Sequence, residues 1–162
     1  MHISRLDVLQ VRNIANIQID CHPSANLIYG ANGSGKTSFL EAIYLLGRGR
    51  SFKHRDLRVV VNHQADELVV SARIERSKSG TSHQLGIKRT AQGKFEARLD
   101  GKSIQSAVQL VEELPLQLID AHSFTLLEGG ALQRRQFVDW GVFHVEHNYT
   151  NLWRRFQKAL KQ

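Results

Sequence analysis

Residues 30–37 read Gly30, Ala31, Asn32, Gly33, Ser34, Gly35, Lys36 and Thr37, a glycine-rich turn closed by a lysine and a hydroxyl at G-x-x-x-x-G-K-S/T spacing. This is the pattern of a phosphate-binding loop. Its glycines let consecutive backbone N–H groups curl around a phosphate with no Cβ in the way. Lys36 brings a compact positive charge to the β- and γ-phosphates, and the Thr37 hydroxyl is placed to ligate Mg²⁺. At average residue frequencies the four fixed positions match by accident in a chain this long on the order of once in a few hundred sequences. The expectation is a nucleoside triphosphate site.

Such a loop works only when a strand and a helix hold it. Residues 26–29 are a short apolar run and predict a buried strand; residues 38–46 predict a helix with Leu40, Ile43 and Tyr44 at core spacing. Strand, loop and helix N-terminus in that order aim N–H groups and helix dipole at an anion. Ahead of them, residues 3–11 and 14–19 alternate as strands, with Arg12 and Asn13 between and a turn at His22, Pro23 and Ser24. Further strands are predicted at 57–61, 68–74, 83–88 and 95–99, the last before the hairpin signal Asp100-Gly101. Short strands at this spacing form an antiparallel layer beside a nucleotide core. Residues 106–114 predict a short helix stopped by Pro115, and 116–119 a further buried strand. After Gly129-Gly130 the pattern is helical to the end. The expected class is α/β, with residues 1–128 as a nucleotide lobe and 129–162 as the start of a helical lobe.

Length, charge and cysteine narrow the rest. A chain of 162 residues is one domain, or one domain and the start of another. There is no apolar run of about eighteen residues to predict a membrane span, and residues 1–7 lack the apolar core of a secretory signal. Cys21 is the only cysteine, so no intrachain disulfide forms and a reducing cytosol fits. The net charge of +7, from 22 Lys and Arg against 15 Asp and Glu, favours a polyanionic partner, nucleic acid first and an acidic membrane surface second. Arg48, Arg50, Lys53, His54, Arg55 and Arg58 follow the first helix against one acid, Asp56. Arg134, Arg135, Arg154, Arg155, Lys158 and Lys161 add charge later.

Other nucleotide machinery is scarce. Hydrolysis needs a carboxylate for Mg²⁺ and a group that positions water, commonly an apolar strand ending in paired acids. Asp120 ends such a run, but Ala121-His122 follows it. On the last helices Leu132, Phe137, Trp140 and Phe143, then Tyr149, Leu152, Trp153, Phe156 and Leu160, form stripes that ordinary core packing explains. No stop signal follows Leu160, and these aromatics predict partners beyond residue 162.

Several elements together closely resemble the RecF family of SMC-like ABC ATPase heads. They are Val11-Arg12-Asn13-Ile14, the stretch from Gly30 to Ser38, Leu40-Glu41-Ala42-Ile43-Tyr44, Gly49-Arg50-Ser51-Phe52 and Arg134-Arg135-Gln136-Phe137-Val138-Asp139-Trp140. The resemblance runs through all 162 residues in order, and members of the family are more than twice as long. It implies a P-loop ABC-type head that binds ATP with Mg²⁺ and forms an ATP-dependent homodimer. It implies binding to single-stranded and gapped double-stranded DNA, recombinase loading alongside RecO and RecR, a part in the SOS response, and a cytoplasmic location. Arg12 and Asn13 match family residues near the nucleotide; residues 30–37 match its Walker A loop. Arg48, Arg50, Lys53 and Arg55 are the candidate DNA contacts. The family's signature motif and Walker B aspartates have no counterpart here, so the complete protein is expected to be a slow DNA-dependent ATPase and this chain alone is not. Two positions depart from the pattern: Ala121-His122 where Pro-Glu is common, and Val11 where an aromatic is usual. The competing reading is a P-loop kinase acting on a small acceptor, with the basic stretch as its lid.

Overall fold

The computed structural model describes residues 1–76, 80–146 and 148–160. Strand alternation decides the first elements. In β1 (His2–Val11), Leu6 and Val8 are fully buried, while Asp7 between them lies on the opposite face. Gln10, with φ of 57°, breaks the alternation and lets Val11 turn inward as well. Six strands form one antiparallel sheet in the order β2-β1-β3-β4-β5-β6. The others are β2 (Ile14–Asp20), β3 (Glu67–Arg76), β4 (Thr81–Thr90), β5 (Phe95–Leu99) and β6 (Lys102–Ser103). The turn at Asp100-Gly101 joins β5 to β6, with both residues at positive φ. Asp100 also accepts hydrogen bonds from the Gln84 backbone N–H and the His83 ring, tying the turn to β4.

One face of the sheet is the core. Leu68, Val70, Ala72 and Ile74 of β3, Leu85 and Ile87 of β4 and Ala97 of β5 join the β1 residues there. Against them pack α1 (Lys36–Arg48), through Phe39, Ala42, Leu45 and Leu46, and α2 (Ala107–Glu113), through Leu110. Ser106 caps α2, its hydroxyl accepting from the Gln109 N–H. Sheet and helices belong to one compact unit, Met1–Leu116.

Four expectations are corrected. Residues 26–29 are not a buried strand: they pair with nothing described, and Leu27 and Tyr29 are each 87% exposed. Residues 116–119 likewise form no ladder, and Ile119 is 82% exposed. An apolar run becomes a strand only when a neighbour takes its N–H and C=O groups, and neither run has one among the described residues. At 57–61 a 3-10 turn, Leu57–Val60, replaces the strand, because the Asp56 carboxylate accepts the Arg58 N–H and starts a turn. Only Val61 bridges β1, at Val11. On α1, Leu40 is 44% exposed, and the buried stripe is Phe39, Glu41, Ala42, Leu45 and Leu46.

The second unit, Gln117–Gln162, is helical. It contains a 3-10 turn, Ala121–Phe124, and α3 (Thr125–Glu128), α4 (Ala131–Val145) and α5 (Tyr149–Ala159). Contacts thus divide the chain after Leu116, whereas the sequence places the boundary after Glu128; residues 117–119, freed from any sheet, go with the helices. The aromatic stripes do not pack as core, for no residue of α4 or α5 is buried and Leu152, Trp153 and Phe156 stand exposed. Lys161 and the side chain of His122 lie outside the described part of the molecule.

Helix α1 meets the chain beyond α2 so closely that Gly47 has no room for a side chain. A Cβ there falls 2.5 Å from Leu116 Cδ1 and 2.9 Å from the Leu114 carbonyl oxygen. Gly47→Ala is expected to destabilise the fold by about 1–3 kcal/mol, the usual cost of overpacking. Denaturant melts read this directly, and an unchanged midpoint contradicts the close approach.

Candidate nucleotide-binding site

The site is built at the open end of α1. Gly35 is its N-cap, with φ of 97° and ψ of 3°, a left-handed conformation that L side chains rarely adopt. No side chain caps the helix and its first turn holds no acid. Its leading N–H groups, which have no acceptor inside the helix, are therefore offered together with the positive end of the dipole. Lys36 folds back across the loop, its Nζ donating to the Gly30 and Ala31 carbonyls at 2.8 Å each. An ammonium has three donors, so one remains for a ligand.

The β1–β2 turn forms one wall. Asn13 donates from Nδ2 to the Gly33 carbonyl at 2.8 Å and accepts from Ser38 Oγ at 2.8 Å, so a single amide clasps both limbs of the loop. Asn13, Gly33, Lys36, Thr37 and Ser38 line a cleft of about 530 Å³, within the range of small-molecule sites. Lys53 also lines it. The donor set, the absent side chains at Gly33 and Gly35, and the volume all fit a polyphosphate, with Thr37 as the hydroxyl available to Mg²⁺.

The candidates separate into three groups. Gly30, Ala31, Asn32, Gly33, Ser34, Gly35, Lys36, Thr37 and Ser38 are brought together with Asn13. Arg12 is engaged elsewhere: its Nε and Nη2 hold the two carboxylate oxygens of Glu41, and its Nη1 lies 3.5 Å from the Val59 carbonyl. Arg12 has φ of 52°, an uncommon value for a residue with a Cβ, and the ion pair holds it there. Among the basic residues, Arg48 is half-buried and donates to the Leu116 carbonyl at 2.7 Å. Arg50 and Arg55 are exposed beside a second hollow of about 580 Å³ that Lys53 also lines. Asp120 lies in the second unit, where its carboxylate accepts the Ser123 hydroxyl.

Glu41 is the residue that motif reading missed. It is fully buried, and its carboxylate accepts Arg12 and the Ser51 hydroxyl. Its signal was present, since an acid between Leu40 and Ala42 on a core helix demands a partner. Burial pushes its pKa up, but the hydrogen bonds from Arg12 and Ser51 and the Arg12 charge outweigh burial, and the net shift is down from 4.5.

Fold and loop together define a P-loop head with an antiparallel sheet. Within that class the chain belongs to the RecF/RecN/SMC N terminal domain family, whose model matches residues 2–132. It is 49% identical to the DNA replication and repair protein RecF of Pseudomonas entomophila and 51% identical to that of Pseudomonas fluorescens, over all 162 residues in both cases. The chain spans 44% of the length of these curated relatives. Among solved structures, the recombination mediator protein RecF-ATPrS of the RecFOR pathway superposes with a TM-score of 0.82 at 22% identity, over 99% of this chain and 43% of that one. A structure from work on ATP-driven dimerization and DNA stimulated activation of SMC ATPases gives 0.71 at 16% identity, over 86% of this chain and 99% of that one. The fold is thus the ABC-type head expected from the sequence.

Removing the Arg12 guanidinium leaves Glu41 buried without its charge partner. Arg12→Ala is expected to cost about 3 kcal/mol, the low end for broken buried pairs because the Arg12 side chain is 24% exposed. Adding Glu41→Leu should recover part of the loss. A group whose folded pKa is depressed stabilises fully above its unfolded pKa and loses that contribution as pH falls through the folded one. The wild-type chain should therefore lose stability as pH drops below 4.5, and Arg12→Ala should lose less over the same interval. Denaturant melts across pH check both.

Proposed function

We propose that this chain is the ATP-binding part of a RecF-type DNA repair protein. The observation that carries the reading is the meeting of Lys36, the Thr37 hydroxyl and the uncapped N-terminus of α1 in one cleft. The first N–H groups of α1 and the remaining Lys36 donor would hold the triphosphate of ATP. Thr37 ligates the Mg²⁺ that accompanies it. Asn13 keeps the loop open, and Arg12 acts on the site through the turn it shares with Asn13. That relatives at 49–51% identity are DNA replication and repair proteins supports the role, as does the likeness to the structures of RecF-ATPrS and RecF-ATP.

In this reading the complete protein forms an ATP-dependent homodimer in the cytoplasm and works at single-strand gaps and junctions. It supports recombinase loading with RecO and RecR, and the SOS response. No helix among the described residues is long and apolar enough to cross a membrane. DNA phosphates lie against Arg50 and Arg55, while Lys53 serves the nucleotide cleft and Arg48 serves packing. This chain alone binds ATP without turning it over. None of the described residues lining the cleft is a carboxylate, and phosphoryl transfer draws its rate from positioned charge and an oriented water.

Lys36→Ala is expected to weaken ATP binding about ten- to a hundredfold, the worth of a hydrogen bond to a charged group, about 1.5–3 kcal/mol. Calorimetry with Mg²⁺-ATP measures it; equal affinities for wild type and variant contradict the site. For DNA, each lost phosphate contact flattens the plot of log K against log salt by about 0.7 to 0.9. Neutralising Arg50 and Arg55 together should therefore flatten it by about 1.4 to 1.8. An unchanged slope means those residues do not meet phosphate.

A further inference from the structure

One charged side chain of the nucleotide cleft comes from outside the loop, and a separate set of groups fixes its position. Lys53 stands on an exposed stretch between α1 and the turn at Leu57–Val60. Two side chains tether that stretch to α1. Phe52 meets the Tyr44 ring edge-on with centroids 5.4 Å apart, and the Ser51 hydroxyl donates to the buried Glu41 carboxylate. The same Ser51 oxygen accepts the backbone N–H groups of Lys53 at 2.9 Å and His54 at 3.0 Å. The stretch is thus wound around one hydroxyl, and that hydroxyl is anchored to a buried carboxylate that Arg12 also holds, through both of its oxygens.

We infer that Ser51, anchored by the Glu41 carboxylate, is a positioning residue that sets the Lys53 ammonium at the phosphate cleft. The inference rests on the nucleotide reading above and adds to it a specific route by which a fully buried acid governs a surface cation. No salt bridge among the described residues holds Lys53, so its charge is available to an anion. It is near enough to Glu41 to favour the ionised carboxylate. Without the hydroxyl, two backbone donors and one carboxylate oxygen lose their common partner, and of the two side chains that tether the stretch to α1 the Phe52 contact remains. The ligand that reads this is polyphosphate.

The test is a double-mutant cycle on Mg²⁺-ATP affinity by calorimetry, with Ser51→Ala, Lys53→Gln and the two together. Ser51→Thr serves as rescue and thermal melts are run on every variant. Lys53→Gln should weaken ATP binding about tenfold and Ser51→Ala about three- to tenfold. The double variant should bind no worse than Lys53→Gln alone, and Ser51→Thr should restore most of the affinity. Effects of the two single variants that multiply in the double overturn the inference, as does a Ser51→Ala variant with wild-type affinity beside a weakened Lys53→Gln. If wild type binds ATP through Lys36 and the cycle shows no coupling, only the positioning role fails. If wild type does not bind ATP, the nucleotide reading and the inference fail together.

Discussion

A carboxylate on the inward face of a helix cannot remain charged unless fixed donors replace the water it gives up, and nearly everything at the functional end of this molecule is arranged around that requirement at Glu41. Burying an ion costs several kcal/mol even after relaxation. Here the donors come from two distant stretches, Arg12 on the β1–β2 turn and Ser51 beyond the end of α1. An apolar residue of similar size would pack in that place with less electrostatic risk. What the acid adds is direction: three chain segments meet at one point with defined hydrogen-bond geometry, and each of them carries a side chain that lines the cleft.

The architecture divides labour accordingly. Alternating apolar residues of β1, β3 and β4 and the Phe39, Ala42, Leu45 and Leu46 stripe give burial its magnitude without specifying the position of any ligand group. The polar contacts at Asn13, Ser38, Arg12, Glu41 and Ser51 contribute little net energy each. They determine instead where the loop sits relative to the helix N-terminus. Asn13 shows this most directly, since it accepts from one limb of the loop and donates to the other. The Arg12 backbone, held at positive φ, is the local strain accepted for bringing that amide into place.

Much of this was legible in the chain. The loop chemistry, the helix after it, the alternation of 3–11, 68–74 and 83–88 and the turn at Asp100-Gly101 depend on neighbours a few residues away, and local pattern recovers them. What failed, apart from the turn that Asp56 starts at Leu57–Val60, depends on distant partners. Residues 26–29 and 116–119 have strand composition, but composition does not supply the adjacent strand. The buried face of α1 was misassigned because Glu41 looks like a solvent residue until Arg12 and Ser51 are known to reach it. Lys53 was grouped with its basic neighbours by charge, and only the winding of the chain around Ser51 separates it from them.

The bonds from Lys36 to the Gly30 and Ala31 carbonyls have a consequence for the kinetics of ligand capture. A free lysine side chain samples many rotamers, worth about 2 kcal/mol of entropy, and a ligand that must first immobilise it loses that much affinity. Here the immobilisation belongs to folding, when the ammonium settles on two carbonyls of its own loop. An arriving anion meets a charge already stationary and a rim already shaped, so encounter requires no search by the receptor. The rate of association is then left to diffusion and to the field of the surrounding cations.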